Sequence, residues 1–259
     1  MGLFDAFKKK QCSICGGDIG LLGNRKLEDG NMCKTCARKL SPFFSDRRNS
    51  TVAEIEEQLA YREANRDAVA AFNVTQTLGT GTKVLIDEDA GKFMVTDARN
   101  LEEANPDVIG FEQVTGVTVD IDEERNEEKR EVTDKEGKTQ SVSYNPPRYT
   151  WEYDFHVVIN VNHPYFDEIR VRLNPSNVEI NADNPLPMMR KPNPKMDVDY
   201  CEYEDMANEI KRILTESRAQ VREEAKAAAA PKQAMTCPWC GATTTPDASG
   251  CCEYCGGAV

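Results

Sequence analysis

Eight of the ten cysteines fall into four Cys-x-x-Cys pairs, two near the start of the chain and two at its end. The first set is Cys12–Cys15 with Cys33–Cys36, and the second is Cys237–Cys240 with Cys252–Cys255. Two thiolates on one tight turn grip a single cation, and two such turns complete a tetrahedron. Each set therefore carries the donors of a four-cysteine zinc site, and two Zn²⁺ ions per chain are expected. A redox role for Cys-x-x-Cys would call for a βαβ surround, which neither set has. Four thiolates leave no coordination position for water, so the metal is expected to hold structure and not to catalyse. Cys251 stands beside Cys252, but only Cys252 gives the two-residue spacing and repeats the Cys-x-x-Cys-Gly pattern of Cys237–Gly241.

Around these cysteines the chain must build two small modules. In residues 11–48, Gly16-Gly17 follow the first pair and permit the positive φ of a knuckle. Short strands are expected through Leu21-Leu22 and Arg25-Lys26-Leu27, with a turn at Asp29-Gly30 and a helix starting after Cys36 that Pro42 limits. This order predicts a treble-clef-like finger. Residues 237–259 repeat one knuckle twice, the pattern of a zinc ribbon. A unit this small has almost no core and needs its metal to fold. Trp239 and Tyr254 occupy matching knuckle positions and are the candidate contacts for a protein partner. Stacking on a nucleic-acid base is the competing role, disfavoured by the module's acidity.

Other candidate chemistry is sparse. The sequence holds no Ser/His/Asp arrangement, P-loop or Gly-x-Gly-x-x-Gly, and no enzyme is expected. His156 alternates with Glu152 and Asp154 on what reads as a solvated strand face. His163 precedes Pro164 in a turn, Cys201 reads as a small packing residue, and Arg190-Lys191 with Lys195 read as a solvated basic loop.

The 259 residues carry a net charge of −12, unevenly spread: +5 over residues 1–48, −1 over 232–259 and −16 between. So acidic a middle repels nucleic acid and anionic membrane at long range. Nucleic-acid binding through the mildly basic finger is therefore a lesser alternative. Residues 1–10 place Leu3, Phe4 and Phe7 before Lys8-Lys9-Lys10, a short amphipathic segment. It suits either packing on the finger or a peripheral hold on the inner membrane face. The start lacks the layout of a secretory signal, and no run of apolar residues is long enough to span a bilayer. Unpaired Cys-x-x-Cys thiols also suit a reducing cytoplasm.

Between the modules, Thr51 and Glu54 form a capping box for a connector helix over 49–72. Period-two patterning then takes over at Lys83–Asp87, Lys92–Thr96 and Val117–Ile121. It is longest over Tyr149, Trp151, Tyr153, Phe155, Val157, Ile159 and Val161, all expected to face inward. The charged stretch 123–148, with Asp134–Gly137 as its turn, predicts a projecting hairpin; a disordered loop is the alternative. A final helix is expected from Glu202 to Ala229, with Met206, Ile210, Ile213, Leu214 and Val221 on one face. Antiparallel strands followed by one amphipathic helix predict an α+β fold: residues 73–230 as a PH-like barrel capped by the helix, with 231–236 as linker to the ribbon.

The run Cys12-Ser-Ile-Cys15-Gly16, then Leu27-Glu-Asp-Gly30-Asn-Met-Cys33-Lys-Thr-Cys36, resembles the N-terminal finger of uncharacterised bacterial and phage proteins. In these the finger is often followed by a PH-like domain. Cys237 to Gly257 is similar to a zinc ribbon that closes many bacterial proteins of unknown role. The resemblance implies architecture and no known activity. The expectation is a non-enzymatic zinc-binding adaptor that works through protein–protein contacts. The alternatives are peripheral membrane association through residues 1–10 and the PH-like domain, or nucleic-acid binding through the finger.

Overall fold

A computed structural model describes residues 10–181, 191–229, 234–247 and 250–259. Leu3, Phe4, Phe7, Arg190 and residues 231–233 of the expected linker lie outside these. The chain falls into two compact units, one ending at Arg218 and the other starting at Ala219.

The first unit opens with two minimal hairpins, β1 (Lys10–Gln11) with β2 (Asp18–Ile19) and β3 (Arg25–Lys26) with β4 (Asn31–Met32), followed by α1 (Lys34–Ala37). Leu21-Leu22, expected in a strand, instead form the turn between β2 and β3. Gly23 N–H donates to Gly20 O at 2.9 Å, and glycines on both sides let the chain reverse there. Leu27 and Met32 are fully buried with Ile19, Leu40, Cys12 and Cys36.

Helix α2 (Val52–Ala70) starts at the expected capping box: Thr51 and Glu54 each satisfy the other's backbone N–H. Asp29 Oδ1 accepts from Val52 N–H at 2.8 Å, tying the helix start to the turn before β4. Ile55 completes the finger's core, with Val52 and Leu59 packed against it. Gly30 is required for this approach, because a Cβ there would lie 2.7 Å from both Ser13 Oγ and Val52 Cγ2.

Two open four-stranded sheets follow. The first runs β5 (Gln76–Leu78), β6 (Lys83–Asp87), β7 (Lys92–Thr96), β8 (Ile109–Gly110), all antiparallel, with α3 (Leu101–Ala104) between β7 and β8. In the second, β10 (Thr139–Val161) pairs along one edge with β9 (Val114–Thr133). Its other edge takes β12 (Val178–Asn181) beside Thr150–Tyr153 and β11 (Glu168–Arg172) beside His156–Asn160. The expected closed barrel is not formed. β8 is only two residues long and its pairing ends at β7, so no ladder joins the two sheets. The far halves of β9 and β10 pair only with each other, as an exposed arm.

The arm is the hairpin read from the charged stretch. Its tip is held by Asp134, whose Oδ1 accepts from Glu136 N–H at 3.0 Å and Lys138 N–H at 2.9 Å. In the ladder, Ser143 pairs with Lys129 and Arg148 with Glu128. Residues 144–147 therefore bulge out where Pro146 and Pro147 have no N–H to give.

Nearer the core, Trp151, Tyr153, Phe155, Val157, Ile159 and Val161 are all buried, as period two requires. Helix α4 (Val198–Ala229) covers this face. Tyr200 meets Tyr153 and Phe155 edge-on with ring centroids 5.0 Å away in each case, and Ala207, Ile210, Ile213 and Leu214 are buried beyond it. The helix starts four residues before Glu202 because Asp197 Oδ1 accepts from Tyr200 N–H at 2.9 Å. The opposite face of the sheet carries ion pairs: Arg170 with Asp120 and Asp122, Arg172 with Asp154, and His156 beside Asp122.

Candidate metal centres

Three of the four cysteine pairs share one backbone device. In the first, Gly16 N–H donates to Cys12 O at 2.8 Å and Cys12 N–H to Gly17 O at 2.9 Å, with Gly16 at φ 70°. In the ribbon, Gly241 N–H donates to Cys237 O at 2.9 Å and Cys237 N–H to Ala242 O at 2.8 Å. There also, Gly256 N–H donates to Cys252 O and Cys252 N–H to Gly257 O, both at 2.8 Å. Gly241 and Gly256 sit at φ 73° and 69°. The glycine supplies the left-handed residue that ends each knuckle, and a Cβ there would strain it. The fourth pair is built differently. Cys33 caps α1, its Sγ accepting from Cys36 N–H at 3.4 Å.

These devices gather Cys12, Cys15, Cys33 and Cys36 into one cluster and Cys237, Cys240, Cys252 and Cys255 into another. In each, the four sulfurs lie within 4.8 Å of one another. Cys15 Sγ is 3.8 Å from Cys33 Sγ, Cys237 Sγ 3.6 Å from Cys255 Sγ, and Cys240 Sγ 3.8 Å from Cys252 Sγ. A disulfide would need about 2.05 Å. Four sulfurs about 2.3 Å from one tetrahedral ion stand about 3.8 Å apart, which is the spacing found. The donor set thus fits a metal ion, and each cluster can hold one. Cys252, not Cys251, joins the second cluster. Cys251 instead forms a bridge with Ala258 and donates its N–H to Asp247 Oδ1 at 2.9 Å.

The electrostatics of the clusters point the same way. Burial pushes the Cys12 thiol up, but the N–H groups of Cys15, Cys33 and Ile14 outweigh it and hold the group at about 6. Cys33 is lowered, chiefly by the Cys36 N–H. Cys36 is raised by burial and by the three sulfurs beside it. In the ribbon, burial raises Cys252, yet the N–H groups of Cys255 and Tyr254 bring it to about 6. Gly257 N–H favours the Cys255 thiolate, but Cys240, burial, Cys237 and Cys252 together push it up to about 12. The first thiolate in each cluster is stabilised by backbone dipoles, and the last is opposed by its neighbours. A cation at the centre removes that opposition.

In the ribbon, Trp239 and Tyr254 are exposed, at 75% and 70%. Trp239 is nonetheless fixed. Its Nε1–H donates to Ala258 O at 3.0 Å, and its ring lies against Gly257, where a Cβ would come 2.8 Å from Cδ1.

The remaining polar candidates are tied up structurally. Lys191 pairs with Glu123 and Lys195 with Glu204, so these two lysines of the basic loop are neutralised. His163 is buried. Its Nδ1 accepts from Tyr165 N–H at 3.3 Å, leaving the Nε2 proton for Tyr61 OH at 2.9 Å, and its ring stacks on Phe166.

One feature was hidden from sequence reasoning. Within α2, the polar residues Arg62 and Asn65 are buried, while Glu63, Arg66 and Asp67 beside them are exposed. Arg62 Nη1 donates to Asp107 Oδ1 at 2.6 Å, Nη2 to Asn105 O, and Nε to Lys39 O at 3.3 Å. Ser41 Oγ donates to Asp107 Oδ2 at 2.8 Å. Asn65 Nδ2 donates to Asn105 Oδ1 and Pro106 O, while Asn65 Oδ1 accepts from Val108 N–H. Alternation in polarity marks a helix face, but only tertiary partners separate a buried polar residue from a wet one.

A family model described as a domain of unknown function (DUF4428) matches residues 10–58. The match takes in the first cysteine cluster and the opening turns of α2 that complete its core. No curated protein and no solved structure matches the chain.

Proposed function

We propose that the chain is a non-enzymatic, zinc-dependent adaptor that works through protein–protein contacts in a reducing compartment. The observation that carries this reading is the ribbon. Two aromatic rings stand exposed at equivalent knuckle positions, and one of them is pinned to the backbone. Rigid exposed Trp and Tyr lose little entropy on binding and dominate protein interfaces. Cys12, Cys15, Cys33 and Cys36 would hold one Zn²⁺, and Cys237, Cys240, Cys252 and Cys255 the other. Each ion supplies cross-linking of its knuckles and neutralises half of the charge of its four thiolates. With four sulfur ligands it has no position for water, which supports a structural role. Between the modules lie two open four-stranded sheets and a covering helix, and we read residues 73–230 as a PH-like domain from their order of strands then helix. We assign that domain a binding role, since such scaffolds carry many ligands and no single chemistry.

Elemental analysis of native protein tests the metal, with two zinc per chain expected; one zinc, or iron, would refute it. The adaptor role is tested in a Trp151→Phe background, where Trp239 is the remaining indole. Titration with a partner captured from the native host should shift Trp239 emission to the blue. Trp239→Ala with Tyr254→Ala should abolish capture while zinc stays at two. Full capture by that double variant would remove the ribbon from the interface.

A further inference from the structure

The Gly20–Gly23 turn carries the two most exposed large apolar side chains among the described residues, Leu21 at 86% and Leu22 at 93%. They hold the two corner positions of a turn closed by Gly23 N–H on Gly20 O at 2.9 Å. The finger's core does not use them; it is complete with Ile19, Leu27, Met32, Leu40 and Ile55. The tip is also held from behind. Ile19 is buried, Arg25 pairs with Met32 in the β3–β4 ladder, and Asn24 Nδ2 donates to Asn31 Oδ1 at 2.9 Å. Two leucines on a fixed convex corner lose solvation quality and gain nothing from folding.

Cations flank the tip. Arg25 and Lys26 follow it directly in β3. Arg47 Nη1 donates to Lys26 O at 2.6 Å, which brings the 3₁₀ turn Arg47–Asn49 and Arg48 alongside. These charges crowd one another: besides burial, the fields of Arg25 and Arg48 hold the Arg47 guanidinium below its ordinary value. Of the finger's acids, Asp29 is occupied by Val52 N–H and Asp46 by Asn49 Nδ2. Residues 10–50 contain eight Lys/Arg against four Asp/Glu, and four thiolates around one Zn²⁺ add −2, so the loaded finger stays basic at about +2. The acidic middle of the chain is screened beyond about 8 Å at physiological salt, so a local basic rim remains effective there.

We propose that the Gly20–Gly23 turn docks this protein on an anionic lipid bilayer, Leu21 and Leu22 entering the acyl boundary and Arg25, Lys26, Arg47 and Arg48 resting on the headgroups. An apolar tip alone holds weakly and a basic patch alone holds weakly, and stable peripheral attachment takes two such signals together. The finger supplies both within one turn. A bilayer is favoured over a protein partner because it receives a bare convex tip with no matching pocket, and its negative charge complements the rim. This docking site is separate from the ribbon and does not depend on the adaptor reading.

The test is co-sedimentation of the full zinc-loaded chain with phosphatidylcholine vesicles, with and without phosphatidylserine. Binding is expected only with phosphatidylserine and should weaken as salt rises. Leu21→Ser with Leu22→Ser should cut partitioning by more than about tenfold, and Arg48→Gln by about fivefold. Zinc content and circular dichroism should stay unchanged in both, since these side chains support no core. A chain lacking residues 2–9, and with them Leu3, Phe4 and Phe7, should still bind. Undiminished binding by the serine pair would overturn the proposal, as would equal binding to neutral vesicles or loss of binding only when residues 2–9 are removed. Failure of the native chain to bind either vesicle would also overturn it, leaving the tip to a protein partner.

Discussion

Removing the Asp107 carboxylate should cost the first unit about 4 kcal/mol. The Arg62 and Asp107 side chains are 7% and 1% exposed, and their charged atoms are 2.6 Å apart. Asp107→Ala leaves the guanidinium its bonds to Asn105 O and Lys39 O but no counter-charge. It also takes the acceptor from the Ser41 hydroxyl. Stranding one partner of a buried pair costs about 3–5 kcal/mol, a range that takes in the bond the Ser41 hydroxyl loses to the carboxylate. Urea unfolding in zinc-replete buffer, followed by buried Trp151 in a Trp239→Phe background, reads this unit. With a slope of about 2 kcal/mol per molar, the midpoint should fall by about 2 M. Arg62→Met combined with Asp107→Leu should cost far less than the two single changes summed, because no charge is then left unpaired. A single-variant cost under about 1 kcal/mol, or a double variant equal to the sum, would refute the claim that the network works as a desolvated unit.

Gln58 is fully buried, with neither Oε1 nor Nε2 partnered among the described residues. Gln58→Leu should therefore raise stability by about 1–2 kcal/mol in the same assay, and a loss would mean that the amide has a partner. Burial, more than the opposing fields of Asp107 and Arg62, holds His163 below its ordinary 6.5. The unfolded chain then takes up a proton first as pH falls, so stability is full above about 6.5 and declines below it. His156 has the same sign, again led by burial. His163→Gln should flatten the slope below about pH 6.5, and an unchanged slope would assign it elsewhere. Phe155→Asp should abolish soluble folding while His156→Ala changes little, since successive strand residues face opposite ways; similar behaviour would contradict the register. A fragment from Lys232 onward should fold on zinc addition and unfold with chelator, followed by amide dispersion. A fragment that stays unfolded with zinc would show that the ribbon needs the rest of the chain.

The sequence by itself determined what depends on spacing and period. Four Cys-x-x-Cys pairs with glycine after three of them dictate both clusters, because a knuckle is a local turn whose geometry the chain sets within six residues. Period two over Trp151–Val161 determined which side of β10 is buried, although Tyr149 at the end of the pattern is only half-buried, and Thr51 with Glu54 determined where α2 begins, again through neighbours in sequence. Tertiary structure alone decided how these parts close. Whether eight strands form a barrel depends on edge pairing between distant segments, and the two-residue β8 leaves the sheets open. Arg62 joins the core only through Asp107 and Asn105, more than 40 residues away in sequence. Leu21-Leu22 reads as strand until the Gly20–Gly23 bond turns it outward, because apolar character carries no information about which side of a turn meets water.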